Sequence, residues 1–241
     1  VMDFVPGHDL REIIEQARQD NEHLSVSQVM TWANQLCDAL TYLHQQDPPI
    51  LHRDVKPSNI KLTPAGYLKL VDFGLVKLLS SDEARTITVV QGRGTAAYTP
   101  LEQYGSDGEH TDFHSDVYAL GATLYHLLTG KPPSTAQERF LHPEVLTPPR
   151  EINPNIPPAV ENAILTALAL HPKDRPTNIQ AFHDLLNASE EPVSQTSQKP
   201  SEPASAPVTA TSQAWMPVLR ENLPLFLVTL ILIVAALLVT P

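Results

Sequence analysis

One run of eight residues constrains this chain more than any other part of its sequence. Residues 52–59 read HRDVKPSN, and residues 72–74 read DFG. A single aspartate in a loop is most often a solvated surface group. Eight residues in this order, followed by a second acidic motif a short hairpin later, instead indicate a loop that carries chemistry.

The apolar periodicity around this loop predicts a mainly helical domain. In four windows apolar residues recur at steps of three and four, which is the spacing of a buried helical face. These windows are residues 27–44, 116–129, 159–170 and 179–186. Ser25 or Ser27 is available to cap the first helix, and Gly130 is placed to end the second.

Strand signals are sparse and lie mostly beside the loop. They predict strands at residues 1–5, 60–62 and 67–71. Residues 63–66 join the last two as a turn of hairpin length. The sequence therefore predicts a mainly α domain with a small β element.

Composition argues against several kinds of site. The formal net charge is -11 at pH 7, so we expect no nucleic-acid surface. Cys37 is the single cysteine and lies in an apolar helical stripe, where we expect it to be buried. His110 and His114 have helical spacing, but no further ligand clusters with them, so we expect no zinc site.

The C-terminal part of the chain differs from the rest in its amino-acid composition. Residues 188–214 are rich in Pro, Ser, Thr and Ala and contain no aromatic residue, which predicts a disordered linker over residues 188–216. Residues 223–240 carry no charge and would form a helix about 27 Å long, close to the thickness of the hydrocarbon core. A core helix is the alternative, but we expect residues 217–241 to cross a membrane.

The motifs HRDVKPSN and DFG resemble the catalytic loop and the magnesium-binding motif of the eukaryotic-like (Hanks-type) protein kinases. The likeness extends over nearly all of residues 1–186 and is closest in style to bacterial members, which often join a cytoplasmic kinase to one membrane span. It implies a kinase large lobe at residues 9–187. Residues 1–8 would then be the hinge and the end of the small lobe.

This resemblance implies a serine/threonine protein kinase that transfers the γ-phosphate of ATP to protein hydroxyl groups. Asp54 would accept or orient the proton of the acceptor hydroxyl, and Lys56 would reach the transferring phosphoryl group. Asn59 and Asp72 would be oxygen ligands of Mg²⁺ beside the nucleotide. Tyrosine kinases of the family carry an Ala-Arg motif where residues 56–58 read KPS, so we expect Ser or Thr acceptors.

Residues 1–7 resemble the last strand of the small lobe and the hinge. On this resemblance Met2 is the gatekeeper residue. The backbone of Asp3 and Val5 would face the adenine ring of ATP. Together with Asn59 and Asp72, these three residues are therefore the expected nucleotide-binding positions.

Residues 94–102 resemble the end of the kinase activation segment. Thr95 would bond to Asp54 and Lys56, as expected for Ser or Thr acceptors. The resemblance also pairs Glu102 with Arg175 as a buried ion pair between this segment and the helical core.

Arg53 could pair with a phosphate added to the activation loop, and such autophosphorylation implies a homodimer. The hydroxyl residues available in that loop are Ser80, Ser81, Thr86 and Thr88.

Three features depart from the family pattern. Residues 100–102 read PLE where Ala-Pro-Glu is usual, although the glutamate is kept. Lys61 stands near the adenine floor, where its stem could pack and its ammonium group point outward. The sequence contains no glycine-rich phosphate loop and no strand lysine, so we expect an N-terminally truncated fragment, inactive by itself, with weak ATP affinity.

Two other functions remain open. A pseudokinase or scaffold at the membrane would keep the lobe as a docking surface, and a small-molecule phosphotransferase of the aminoglycoside type would share Asp54, Asn59 and Asp72. The intact catalytic set favours an active enzyme over the first. Lys56 and residues 94–102 argue against the second, because they would serve to receive a peptide.

Overall fold

The computed structural model describes residues 4–72, 77–78, 95–104 and 112–188, with the backbone alone for residues 77–78. In these ranges the α-helices are α1 Leu10–Gln19, α2 Val26–His44, α3 Phe113–Thr129, α4 Ala136–Leu141, α5 Pro149–Ile152, α6 Pro158–Ala167 and α7 Ile179–Leu186. The strands are β1 His8–Asp9, β2 Ile50–Leu51, β3 Ile60–Leu62, β4 Leu68–Leu70 and β5 Lys77–Leu78. The described part is therefore mainly helical with few strands, as predicted.

The short strands form two small antiparallel sheets around the HRDVKPSN loop. One sheet has the order β1-β3-β4, with Asp9 opposite Lys61 and Ile60 opposite Leu70. The other pairs β2 with β5, with Ile50 opposite Leu78. Since β2 ends just before His52 and β3 begins just after Asn59, the sheets hold both ends of the loop.

Helix α3 lies at the centre of the core. All of residues 115–125 are buried, so this helix has no solvent-facing side over that stretch. It packs against α2, α6 and α7. A helix that is apolar on nearly every face belongs inside a domain, and α3 forms the interior around which the amphipathic helices assemble.

Glycine is required at two positions, one within α3 and one at its C-terminal end. A Cβ on Gly121 would lie 2.8 Å from the Cβ of Ala167, so the glycine lets α3 and α6 approach closely. Gly130 ends α3 at φ 71°, the left-handed conformation typical of a helix C-cap. The predicted end of this helix is thus confirmed.

The predicted helices and hairpin are confirmed with shifts of a few residues at some ends. Helix α2 begins one residue before the predicted window; Ser25 occupies the cap position, and its Oγ lies 2.8 Å from that of Ser27 rather than bonding the helix backbone. Helix α3 begins earlier than predicted, because Asp112 caps it by accepting the N–H of His114 at 2.9 Å. The hairpin turn contains Gly66 at φ 83°.

The predicted strand at residues 1–5 is wrong where it can be compared. Phe4 and Val5 lie outside any strand, and Phe4 is 88% exposed. The pairing begins at His8 instead, where the backbone meets Leu62 of β3. A strand needs a hydrogen-bonded neighbour, and β3 supplies one only from His8 onward within the described residues.

Cys37 is buried at 2% exposure, and burial raises the pKa of its thiol to about 12, so its role is packing.

Among the described residues, none of the helices combines the length and the apolar character needed to cross a bilayer. The predicted membrane segment at residues 217–241 lies outside the described residues, as does the predicted linker from residue 189 onward.

Candidate active site

Asp116 anchors the loop between β2 and β3. It lies in the first turn of α3, is fully buried, and its carboxylate oxygens accept the backbone N–H groups of His52 and Arg53 at 2.9 and 2.7 Å. His44, the last residue of α2, contacts the same carboxylate with 2.9 Å between Nε2 and Oδ2. Because a buried carboxylate must be hydrogen-bonded, these contacts fix the loop to α2 and α3.

Reasoning from the sequence did not single out Asp116 as a site residue. The available signal was an acidic residue at the start of the apolar window 116–129. A charge on a buried face is rare unless it has partners, and here the partners are backbone N–H groups of the loop.

Two residues of the site have left-handed backbone conformations. Arg53 has φ 65° and Asp72 has φ 62°, which are unfavourable for residues that carry a Cβ. Such conformations persist where neighbouring contacts hold them, and the Asp116 bond to the Arg53 N–H is such a contact. Because strained residues cluster at functional sites, this pair favours the loop as the site.

Burial sets the protonation state of His52. The side chain is fully buried, and burial lowers the pKa of its imidazole, while the Asp116 charge acts in the opposite direction. The Asp54 N–H points to His52 Nδ1 at 3.4 Å, which requires that nitrogen to be unprotonated. The imidazole of His52 is therefore uncharged, and it accepts a backbone hydrogen bond from within the loop.

The loop brings four of the predicted site residues together. Lys56 Nζ donates to Asp54 Oδ2 at 2.7 Å and to Thr95 Oγ1 at 3.2 Å. The Asn59 side-chain amide donates to Asp54 Oδ2 at 2.8 Å and to the Asp54 carbonyl oxygen at 3.0 Å. The predicted contact of Thr95 with Lys56 is thus confirmed. The predicted direct bond of Thr95 to Asp54 is wrong, because within the described ranges the Lys56 ammonium group lies between the two side chains and contacts both.

Asn59 and Asp72 fit the requirements of a magnesium ion. The Asn59 Nδ2 group is committed to Asp54, so the amide oxygen faces away from that carboxylate; its contact among the described residues is Ser58 Oγ at 3.4 Å. The Val71 N–H donates to the Asn59 carbonyl oxygen at 2.9 Å, which brings Asp72 next to Asn59. No group of three or more His, Cys, Asp or Glu side chains suited to a metal occurs in the described ranges. One carboxylate and one amide oxygen match Mg²⁺, which keeps several waters.

The predicted adenine-binding residues are only partly described. Met2 and Asp3 lie outside the described residues, whereas Val5 is partly buried in the segment that leads to β1. The Lys61 ammonium group donates to the Gly7 carbonyl oxygen at 3.4 Å. Lys61 therefore turns its charge toward this segment.

The predicted ion pair between Glu102 and Arg175 is confirmed. Arg175 donates from Nη1 to Oε1 at 2.6 Å and from Nη2 to Oε2 at 3.1 Å. Ser115 Oγ donates to the same Oε1 at 2.9 Å.

The structure does not describe Phe73, Gly74 or the four hydroxyl residues that are available for phosphorylation. The expected pairing of Arg53 with a phosphate therefore stays a prediction.

The protein kinase domain family matches residues 1–187 of this chain. The chain belongs to this family. Its members in general use ATP and a divalent metal, in agreement with the oxygen donors of Asn59 and Asp72.

Among curated proteins, a probable serine/threonine-protein kinase of Corynebacterium efficiens is 37% identical over 84% of this chain and 32% of its own length. The serine/threonine-protein kinase PknB of Mycolicibacterium smegmatis is 33% identical over 73% of this chain and 28% of its own length. The tyrosine-protein kinase MasK of Myxococcus xanthus is 29% identical over 77% of this chain and 30% of its own length. The chain thus spans about a third or less of these relatives.

A solved structure, the PpkA-294 apo form, has a similar fold. The TM-score is 0.59 at 26% sequence identity, and the match covers 76% of this chain and 61% of the other. The fold seen here is therefore similar to that solved structure over about three quarters of this chain.

Proposed function

We propose that this chain is the large lobe of a serine/threonine protein kinase that transfers the γ-phosphate of ATP to hydroxyl groups of proteins. One observation carries the proposal: Asp54 is held between Lys56 and Asn59, while Thr95 reaches the same lysine from a separate segment. The relatives named as serine/threonine kinases support the choice of acceptor.

Asp54 is the group that receives the proton of the acceptor hydroxyl. Its Oδ2 accepts hydrogen bonds from both Lys56 and Asn59, whereas none of the described residues donates to Oδ1. Oδ1 is therefore the atom that takes the proton while the hydroxyl oxygen forms its bond to phosphorus and the bond to the ADP oxygen breaks. Arg53, the residue just before it, has a left-handed backbone conformation at φ 65°.

Lys56 places a positive charge between Asp54 and Thr95, where the oxygens of the transferring group carry negative charge. Asn59 Oδ1 and the Asp72 carboxylate would hold Mg²⁺. When bound, Mg-ATP supplies the phosphoryl group and the metal neutralises its charge. The chain's own contribution is to position the acceptor and to hold one proton at Asp54.

Phosphoryl transfer by the full-length protein, meaning the whole native chain that contains these 241 residues, tests this function. With radiolabelled ATP and Mg²⁺, we expect label on Ser or Thr of a protein substrate, and its loss in both Asp54→Asn and Asp72→Ala variants that keep their fold by circular dichroism. Acid hydrolysis of the product identifies the labelled amino acid. Label on tyrosine alone, or a rate largely kept in either variant, would refute the proposal.

We further propose that residues 1–187, produced alone, transfer phosphate slowly and bind ATP weakly. The 241 residues contain no glycine-rich loop and no strand lysine to contact the phosphates. Comparison of purified residues 1–187 with the full-length protein on the same substrate decides this. Equal rates that depend on Asp54 would contradict it.

Finally, we propose that residues 217–241 cross a membrane once, after a linker at residues 188–216, with the kinase lobe at residues 9–187 in the cytoplasm, where ATP is. Residues 223–240 carry no charge, and Arg220 precedes them on the lobe side. After carbonate washing the protein should stay in the membrane pellet. Its release without detergent would count against the span.

A further inference from the structure

A cavity of about 540 Å³ opens beside the contact between Lys56 and Thr95, and both residues line it. Helix α1 forms one wall, and the turn after α3 at Gly130 forms another. A cavity of this size lies in the range of specific binding sites. Because it adjoins the atoms that would meet the acceptor hydroxyl, it is placed to receive the residues that flank that hydroxyl.

The walls of this cavity carry an excess of positive charge. Arg11 and Arg18 on α1 and Lys131 after α3 line it, and all three are exposed. Within the part of the chain that the structure describes, none of these three side chains is in an ion pair. Among the described residues that line the cavity, Glu15 is the one that is acidic. This concentration of cations is unexpected in a chain whose formal net charge is -11.

The floor of the cavity is neutral. The Tyr98 hydroxyl and His126 Nδ1 are hydrogen-bonded at 2.7 Å, and burial lowers the pKa of His126 to about 4, so the ring is uncharged at physiological pH. The charge of Arg18 lowers the pKa of His126 further, and that of Arg11 opposes the rise that burial causes in the pKa of Tyr98. The positive charges of both guanidinium groups are therefore felt at Tyr98 and His126, which form the floor of the cavity.

We propose that the basic groove formed by Arg11, Arg18 and Lys131 binds an anionic side chain of the acceptor protein and so selects acidic substrates. This inference rests on the proposed kinase function. Arg11 and Arg18 are separated by about 10 Å along the helix axis, the length of roughly three residues of extended peptide. The groove therefore follows a short stretch next to the acceptor, and unpaired cations in it attract carboxylate or phosphate groups.

Peptide phosphorylation by the full-length protein tests the groove. One serine peptide is made with Ala, Asp, phosphoserine or Lys at each position flanking the acceptor. We expect kcat/KM to be several-fold higher for Asp than for Ala at one or two positions and lowest for Lys. A higher ratio for phosphoserine than for Asp would identify an already phosphorylated substrate as the source of the anion, and the reverse would identify an acidic one.

The variant Arg11→Gln/Arg18→Gln removes two of the three cations without introducing a repulsive charge. The ratio of kcat/KM for Asp over Ala should fall about fivefold, since an exposed ion pair contributes up to about that factor. Lys69→Gln/Lys173→Gln is the matched control, because both lysines are exposed outside the groove and two positive charges are likewise lost. Its ratio should equal that of the unmodified protein.

Binding of fluorescent Asp and Ala peptides to the full-length protein separates the two hypotheses. Acid-selective binding that Arg11→Gln/Arg18→Gln removes would uphold the groove even if no peptide were phosphorylated, in which case the kinase function alone would fail. Turnover of serine peptides without any preference for Asp or phosphoserine, unchanged in the variant, would overturn the groove and leave the kinase function standing.

Discussion

Arg175 forms a bidentate ion pair with Glu102, which lies 73 residues earlier in the sequence. The arginine side chain is 0% exposed and the glutamate side chain is 7% exposed. The same guanidinium group lies over the Tyr118 ring at 4.9 Å. Its remaining hydrogen bonds go to the carbonyl oxygens of His114, Ala169 and Leu170. One side chain therefore joins the segment after Thr95 to α3 and to the end of α6.

Replacement of Arg175 by alanine should destabilise the fold strongly. It would leave the buried Glu102 carboxylate without its cation, and breaking a buried pair in this way costs about 3–5 kcal/mol. Denaturant unfolding of the full-length protein measures the free energy, with Lys173→Ala, an exposed neighbour, as the control. A loss below about 1 kcal/mol would mean that the pair contributes no more than a surface pair.

Asp116→Ala should abolish phosphoryl transfer and lower the free energy of unfolding by roughly 3–6 kcal/mol. The change removes the acceptor of two loop N–H groups, and bonds to a charged group contribute about 1.5–3 kcal/mol each. Turnover and denaturant unfolding are measured together on the same preparation. Asp38→Ala on the exposed side of α2 should change neither, and wild-type turnover by Asp116→Ala would show that the loop holds its shape unaided.

Gly121→Ala should destabilise the domain although alanine favours a helix. The new Cβ would meet that of Ala167 at 2.8 Å, and overpacking of this kind costs about 1–3 kcal/mol. Ala167→Gly on the same chain removes the opposing methyl group and should recover part of the loss. A double-mutant cycle by thermal unfolding gives the coupling, and purely additive effects would mean that the two helices move apart freely.

Acid should weaken the fold partly through His126. Burial lowers its pKa in the folded state from 6.5 to about 4. Between these values the unfolded chain binds a proton that the folded chain does not, so stability is lost as the pH falls from about 6.5 toward 4. In His126→Gln the free energy of unfolding should depend less on pH over this window. An unchanged slope would show that other groups set the acid sensitivity.

The helices that the sequence predicted are those with a strong period. Helices α2, α3, α6 and α7 carry apolar residues at helical spacing over eight or more positions, and α3 needed only its Asp112 cap to fix where it begins. Helix α1 was not predicted because its polar positions outnumber its two buried ones, Leu10 and Ile14. The capping box of Asp9 and Glu12 was its available signal.

The site residues that belong to a sequence motif could be predicted. Those that reach the site only through the packing of distant helices could not. Asp54, Lys56 and Asn59 are close in sequence, so their meeting follows from one tight turn. Asp116 comes to His52 from 64 positions away, and only the packing of α3 brings it there. Arg11 and Arg18 reach the same region on a helix that the sequence did not reveal.

The Asp116 carboxylate makes the geometry of the reaction depend on the interior of the domain. The same turn of α3 that is sealed on all sides also holds the backbone of the two residues before Asp54. A lobe whose interior has loosened has therefore already lost the direction of the Asp54 carboxylate. On heating, turnover and the burial of α3 should disappear in one step, with no temperature at which a molten lobe still transfers phosphate.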